Sequence, residues 1–91
     1  MTDDRLRELH DHLAATGELP VERSGSHYLG EAEAVVADAL KPGTDDEVVQ
    51  KRVEQARELL SNVEGTGSAE ADELVERAKT LTEAAIEQYE G

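Results

Sequence analysis

The sequence predicts an all-α fold, a small up-and-down helical bundle, and three observations carry that expectation. Apolar residues recur at spacings of three and four along four separate stretches, Gly, Pro and Ser clusters fall between those stretches, and no stretch alternates apolar and polar residues long enough to read as a strand. At 91 residues the chain is expected to form one domain spanning 1–91. The punctuation comes from Gly17, Pro20, the Ser24-Gly25-Ser26 cluster, Pro42-Gly43 and Gly65-Thr66-Gly67.

The first helix is expected over about residues 3–16, with Leu6, Leu9 and Leu13 on one narrow stripe. Thr2 is placed to cap it, the Asp3-Asp4 pair suits the positive end of the helix, and Gly17 is placed to end it in a left-handed conformation. A stripe of three leucines predicts a shorter helix that docks on the bundle rather than organising it. The second helix is expected over about 27–41, with Leu29, Ala32, Val36, Ala39 and Leu40 on one face and Tyr28 and Val35 at its border. Ser24 or Ser26 is its expected cap, and Pro42-Gly43 its stop. Between these helices Leu19, Pro20 and Val21 form a proline-stiffened segment, expected to close over the core, with an exposed contact patch as the other reading.

The third and fourth helices, about 44–64 and 68–89, are the most legible part of the chain. Thr44-Asp45-Asp46-Glu47 has the form of a capping box, in which hydroxyl and carboxylate satisfy free amides of the first turn. Behind it Val49, Val53, Ala56, Leu60 and Val63 follow a coiled-coil spacing, widened by Val48 and Leu59. Leu74, Ala78, Leu81 and Ala85 repeat that spacing, widened by Val75, Ile86 and Tyr89. Each stripe covers roughly 140° of the helix, whereas about 100° serves a surface helix with one neighbour. Both helices are therefore expected to touch two partners. A loop of about four residues, Gly65 to Ser68, makes them antiparallel. The expected architecture is three long helices plus the shorter N-terminal one.

Composition narrows the function classes. Nine Lys and Arg stand against 22 Asp and Glu, a formal net charge of −13. A phosphate backbone would be repelled, since nucleic-acid affinity rests on cationic side chains releasing counterions. The longest apolar run, Ala34-Val35-Val36-Ala37, is far too short to span a bilayer, and the polar, acidic stretch from Met1 to Arg7 is unlike a signal or transit peptide. The expected location is cytoplasmic. With no cysteine there is neither a disulfide framework nor a thiol nucleophile. Nucleophile elbows, phosphate-cradle lysines and calcium loops are also missing, so neither a catalytic residue nor a cofactor is expected.

Two pairs remain as candidate metal ligands. Glu8 with His12 and His27 with Glu31 are each four apart, hence on one side of a helix, and two such pairs on adjacent helices offer two imidazoles and two carboxylates to a divalent ion. On the helical wheel both pairs point towards water, so ordinary surface pairing is the simpler expectation. The Glu-x-x-His motif of di-metal bundles does not occur.

Lysine occurs only at Lys41, Lys51 and Lys79, alanine is frequent, and Phe and Trp are missing. With the runs Glu18-Leu-Pro-Val-Glu-Arg and His27-Tyr-Leu-Gly-Glu-Ala-Glu-Ala, which cover about a third of the chain, these features make it resemble short acidic helical proteins of haloarchaeal type. That resemblance implies molar salt as the working solvent and no particular activity. At about 1 M salt the screening length is near 3 Å, so repulsion among surplus carboxylates largely disappears.

Nineteen Leu, Val and Ile side chains make a modest core for a chain of this length, so help from salt or from a second copy is expected. The functional expectation is a non-enzymatic interaction or oligomerising module. Its contact surface is expected on Leu19, Val21, Val48, Leu59, Val75, Ile86 and Tyr89, and its partner is a second copy (a homodimer) or another protein. Two alternatives stand beside it: a divalent-metal protein using the Glu8, His12, His27 and Glu31 set, and an acidic mimic that occupies the basic groove of a partner.

Overall fold

The computed structural model describes residues 2–90, with side chains for residues 4–87. Four helices, α1 (Thr2–Thr16), α2 (Arg23–Ala39), α3 (Asp46–Ser61) and α4 (Ala69–Glu90), account for the regular structure, and no strand occurs among the described residues. Each helix packs against two neighbours: α1 on α2, α2 on α3, α3 on α4, and α4 back on α1. Among the described residues the backbones of the diagonal pairs do not approach one another closely. Connections over residues 17–22, 40–45 and 62–68, folded into turns, do not run back the length of a helix, so successive helices alternate in direction. The wide stripes predicted for α3 and α4 therefore meet the two neighbours they require.

The N-terminal helix is the shortest of the four, as expected, but it does not sit apart from the core. At 15 residues α1 is nearly as long as α2 and α3, with 17 and 16, and only α4, with 22, stands apart. Its three leucines, Leu6, Leu9 and Leu13, are at most 1% exposed and rank among the largest fully buried side chains. A narrow stripe suffices because α1 enters the angle between α2 and α4, where Leu29, Val36, Val75, Ala78 and Ala85 also turn inward. Small residues at Ala56, Ala71 and Ala78 are completely buried and let the helices approach closely.

Helix ends depart from expectation in several places. The chain leaves α1 through Gly17, Glu18 and Leu19, whose amides donate to the carbonyls of Ala14, Ala15 and Thr16 at 3.1, 3.1 and 3.2 Å. This is a tightening of the last turn. Gly17 has no positive φ, unlike Gly43 and Gly67 at +82° and +83°. α2 begins at Arg23, before the expected start, so Ser24, Gly25 and Ser26 form its first turn rather than its cap. The N-cap is Glu22, whose amide donates to the Thr66 carbonyl at 2.8 Å while its carbonyl accepts from the Ser26 amide. A contact from the distant 62–68 segment thus fixes this helix start.

The capping box does not form. Asp45 is the N-cap of α3 and makes no side-chain cap bond, while the Thr44 hydroxyl turns back to donate to the Lys41 carbonyl at 2.6 Å. α3 also stops at Ser61, and Val63, expected within it, is buried from the following loop.

That loop, residues 62–68, is longer than the four residues expected and carries its own polar core. Thr66 is fully buried. Its amide donates to Asp72 Oδ1 at 2.9 Å, its hydroxyl lies 2.7 Å from the same oxygen and 2.9 Å from the Ser68 carbonyl, and its carbonyl accepts from Glu22. The other buried threonines, Thr16 and Thr82, donate to the Leu13 and Lys79 carbonyls of their own helices. Among the described residues every buried polar side-chain atom has a partner.

Candidate functional site

The histidine and glutamate pairs form as spaced, but separately. His12 Nε2 lies 3.8 Å from Glu8 Oε1 on α1, and His27 Nε2 lies 3.7 Å from Glu31 Oε1 on α2. His10 reaches across from α1 to Glu33 of α2 at 4.0 Å, a pairing the sequence did not suggest. The two predicted pairs are not brought together: His27 and Glu31 stand on the outer face of α2, whereas Glu8 and His12 face α4. Among the described residues no three His, Asp or Glu side chains converge in a geometry that could hold a metal ion. The His12 ring is only 20% exposed, so it turns less towards water than the helical wheel suggests.

The residues expected to form an apolar contact surface are distributed differently. Val75 and Ile86, at 4% and 5% exposure, lie inside the bundle, where the extra width of the α4 stripe meets α1 as well as α3. Leu59 and Val21 are half-buried and pack on the core, so at Val21 the proline-stiffened linker closes over it. Leu19 is half-buried. Val48, 40% exposed at the start of α3, is the single exposed large hydrophobic among the described residues. Tyr89 lies outside the residues whose side chains are described.

What the fold does create is a groove of about 370 Å³ between α1 and α4, lined by Glu8, His12, Glu73, Glu76, Arg77, Thr80 and Leu81. Helical spacing builds it from both sides. Glu8 and His12 are one turn apart on α1, and on α4 the adjacent Glu76 and Arg77 lie one turn after Glu73 and one turn before Thr80. Half-buried Leu81 and the largely covered His12 ring give it an apolar floor, while the carboxylates stand at its rim. Arg77 Nη2 donates to Glu73 Oε1 at 2.8 Å, and the Thr80 hydroxyl donates to the Glu76 carbonyl at 3.1 Å. Among the described residues Glu8 has the long approach to His12 as its one side-chain pairing. Two other concavities are lined differently: about 530 Å³ between the start of α2 and the 62–67 loop, bordered by Glu22, Tyr28 and Glu64, and about 450 Å³ beside Glu54, Arg57 and Glu58 of α3.

The clearest electrostatic perturbation lies elsewhere. Hydrogen bonds from the Thr66 hydroxyl, and then from the Thr66 amide, hold the Asp72 carboxyl below its ordinary value of 3.8, against a smaller desolvation effect. These bonds pin the loop to the start of α4, a structural role. Nothing in the spacing of Thr66 and Asp72 along the sequence marks a loop that folds back.

A family described as Domain of unknown function (DUF8152) matches residues 5–91, and the chain belongs to that family. No curated protein and no solved structure matches it.

Proposed function

We propose that this member of the DUF8152 family is a non-enzymatic interaction module that seats an amphipathic, cationic helix of another protein in the groove between α1 and α4. The observation that supports the reading is the lining of that groove, where a half-buried leucine and an imidazole ring lie beneath three carboxylates, of which, among the described residues, Glu73 alone is paired with an arginine or lysine. A helix presenting a leucine-sized side chain flanked by Lys or Arg matches both parts of such a surface. Its apolar contact survives in molar salt, where long-range attraction is screened, and the short-range charge pairs set orientation. The net charge of −13 and the lysine-poor composition fit a protein that works in molar salt. The proposed partner is a different protein, because the stripes that suggested a second copy are largely filled by neighbouring helices of the same chain.

Titrating the isotopically labelled chain with a helical leucine–lysine peptide in molar KCl tests the reading. The expected result is a set of NMR shift changes gathered on Glu8, His12, Glu76, Thr80 and Leu81 that disappears in Thr80→Arg, which places a cation at an exposed groove position without touching the core. Changes spread evenly over the outward carboxylates of α2 and α3, or none at all, would overturn it.

A further inference from the structure

Among the described residues Arg77 is the one Lys or Arg lining the α1/α4 groove, and it stands beside the carboxylates that a partner's cation would engage. Its guanidinium donates to Glu73 Oε1 at 2.8 Å, one turn away on α4, and both side chains are more than half exposed. Such a pair is readily exchanged: an exposed ion pair adds little net stability, and an arginine on a long stem changes rotamer freely. Among the described residues neither Glu8 across the groove nor Glu76 on the same helix is paired with a Lys or Arg, and Glu8 has the 3.8 Å approach of His12.

We propose that Arg77 is a built-in competitor, occupying one carboxylate of the groove in place of the partner's cation and so setting a threshold that a ligand must exceed. The inference rests on the groove reading given above. A ligand with one cation finds Glu8 or Glu76 and leaves the Arg77–Glu73 pair intact. A ligand with several cations must displace Arg77 to engage Glu73 as well. The intramolecular pair thereby favours cation-rich helices over singly charged ones, and the discrimination comes from displacing a group already in place.

Anisotropy titrations in molar KCl of a labelled leucine–lysine peptide against the wild-type chain and three variants test this. Arg77→Gln frees Glu73 and is expected to tighten binding by about two- to fivefold, the range that an exposed ion pair represents. Arg77→Lys keeps a competing cation and is expected to stay near wild type. Arg57→Gln makes the same change in net charge on α3 outside the groove, and screening is expected to leave its affinity unchanged. Unchanged or weaker binding by Arg77→Gln, or equal tightening by Arg57→Gln, would overturn the competitor role while wild-type binding in the groove stood. Failure of the wild-type chain to bind the peptide overturns the groove reading itself, and the competitor role with it.

Discussion

At the scale of single residues, Asp72 offers the most specific pH dependence. Its folded-state carboxyl is held below 3.8 by the Thr66 hydroxyl and amide, so its contribution to stability is fully present above the unfolded value and is lost as pH falls through the lower folded value. Asp72→Asn is therefore expected to narrow its stability gap from wild type as pH drops below the ordinary carboxylate range, while the gap stays flat above it. Urea unfolding at a series of pH values in constant salt measures this. Gly30 makes the opposite kind of prediction. It is exposed inside α2, and a Cβ there would meet nothing within 4 Å. Gly30→Ala is expected to stabilise the fold by about 0.5–1 kcal/mol, read as a higher urea midpoint. Gly43, at φ +82°, marks where the same substitution is expected to destabilise. Of these residues the sequence marked Gly43 through the Pro42-Gly43 stop, but not Asp72, whose role depends on where the 62–68 segment folds.

At the scale of helices, periodicity was a dependable guide to existence and facing, and a weaker one to ends. The inward faces of α2 and α3 were legible, since Leu29, Ala32, Val36 and Ala39, and Val49, Val53, Ala56 and Leu60, are all buried. The start of α2 was not, because a hydrogen bond from Glu22 to Thr66 places it and the local Ser24-Gly25-Ser26 signal is overridden. The capping box failed for a related reason: the Thr44 hydroxyl has a nearer acceptor in the turn behind it. Thr44→Ala is accordingly expected to loosen the 40–45 turn rather than fray α3, with faster exchange of the backbone amide at position 44 and little change at Val49. Leu9, fully buried on α1, separates a docked helix from a structural one. Leu9→Ala is expected to cost about 2–5 kcal/mol, the range for a core leucine, and a loss below about 1 kcal/mol in thermal unfolding would restore α1 to a peripheral role.

For the whole molecule, charge and packing set the terms together. A net charge of −13 on a body measuring 35 × 23 × 19 Å implies self-repulsion that salt relieves, so the unfolding midpoint is expected to rise steeply with KCl up to molar concentration and flatten beyond it. Light scattering in the same buffers is expected to return the mass of one chain, and a stable dimer would shift the partner assignment back to a second copy. The fold class was legible because four amphipathic stretches with short connections leave few other ways to bury their stripes. The groove was not, because it belongs to α1 and α4 jointly, and Glu8, His12 and Leu81 share no spacing that announces their meeting.

That groove lies on the one seam where helices distant in sequence pack together. The Arg5 guanidinium donating to the Ala84 carbonyl at 3.4 Å marks the same seam. The other three seams join consecutive helices and close short loops, whereas this one closes almost the whole chain, the step with the largest loop entropy to overcome. A molecule bridging α1 and α4 would act as a clip across that longest loop. Partner occupancy would then be readable as slower global unfolding, and the groove's ligand would double as a latch on the bundle.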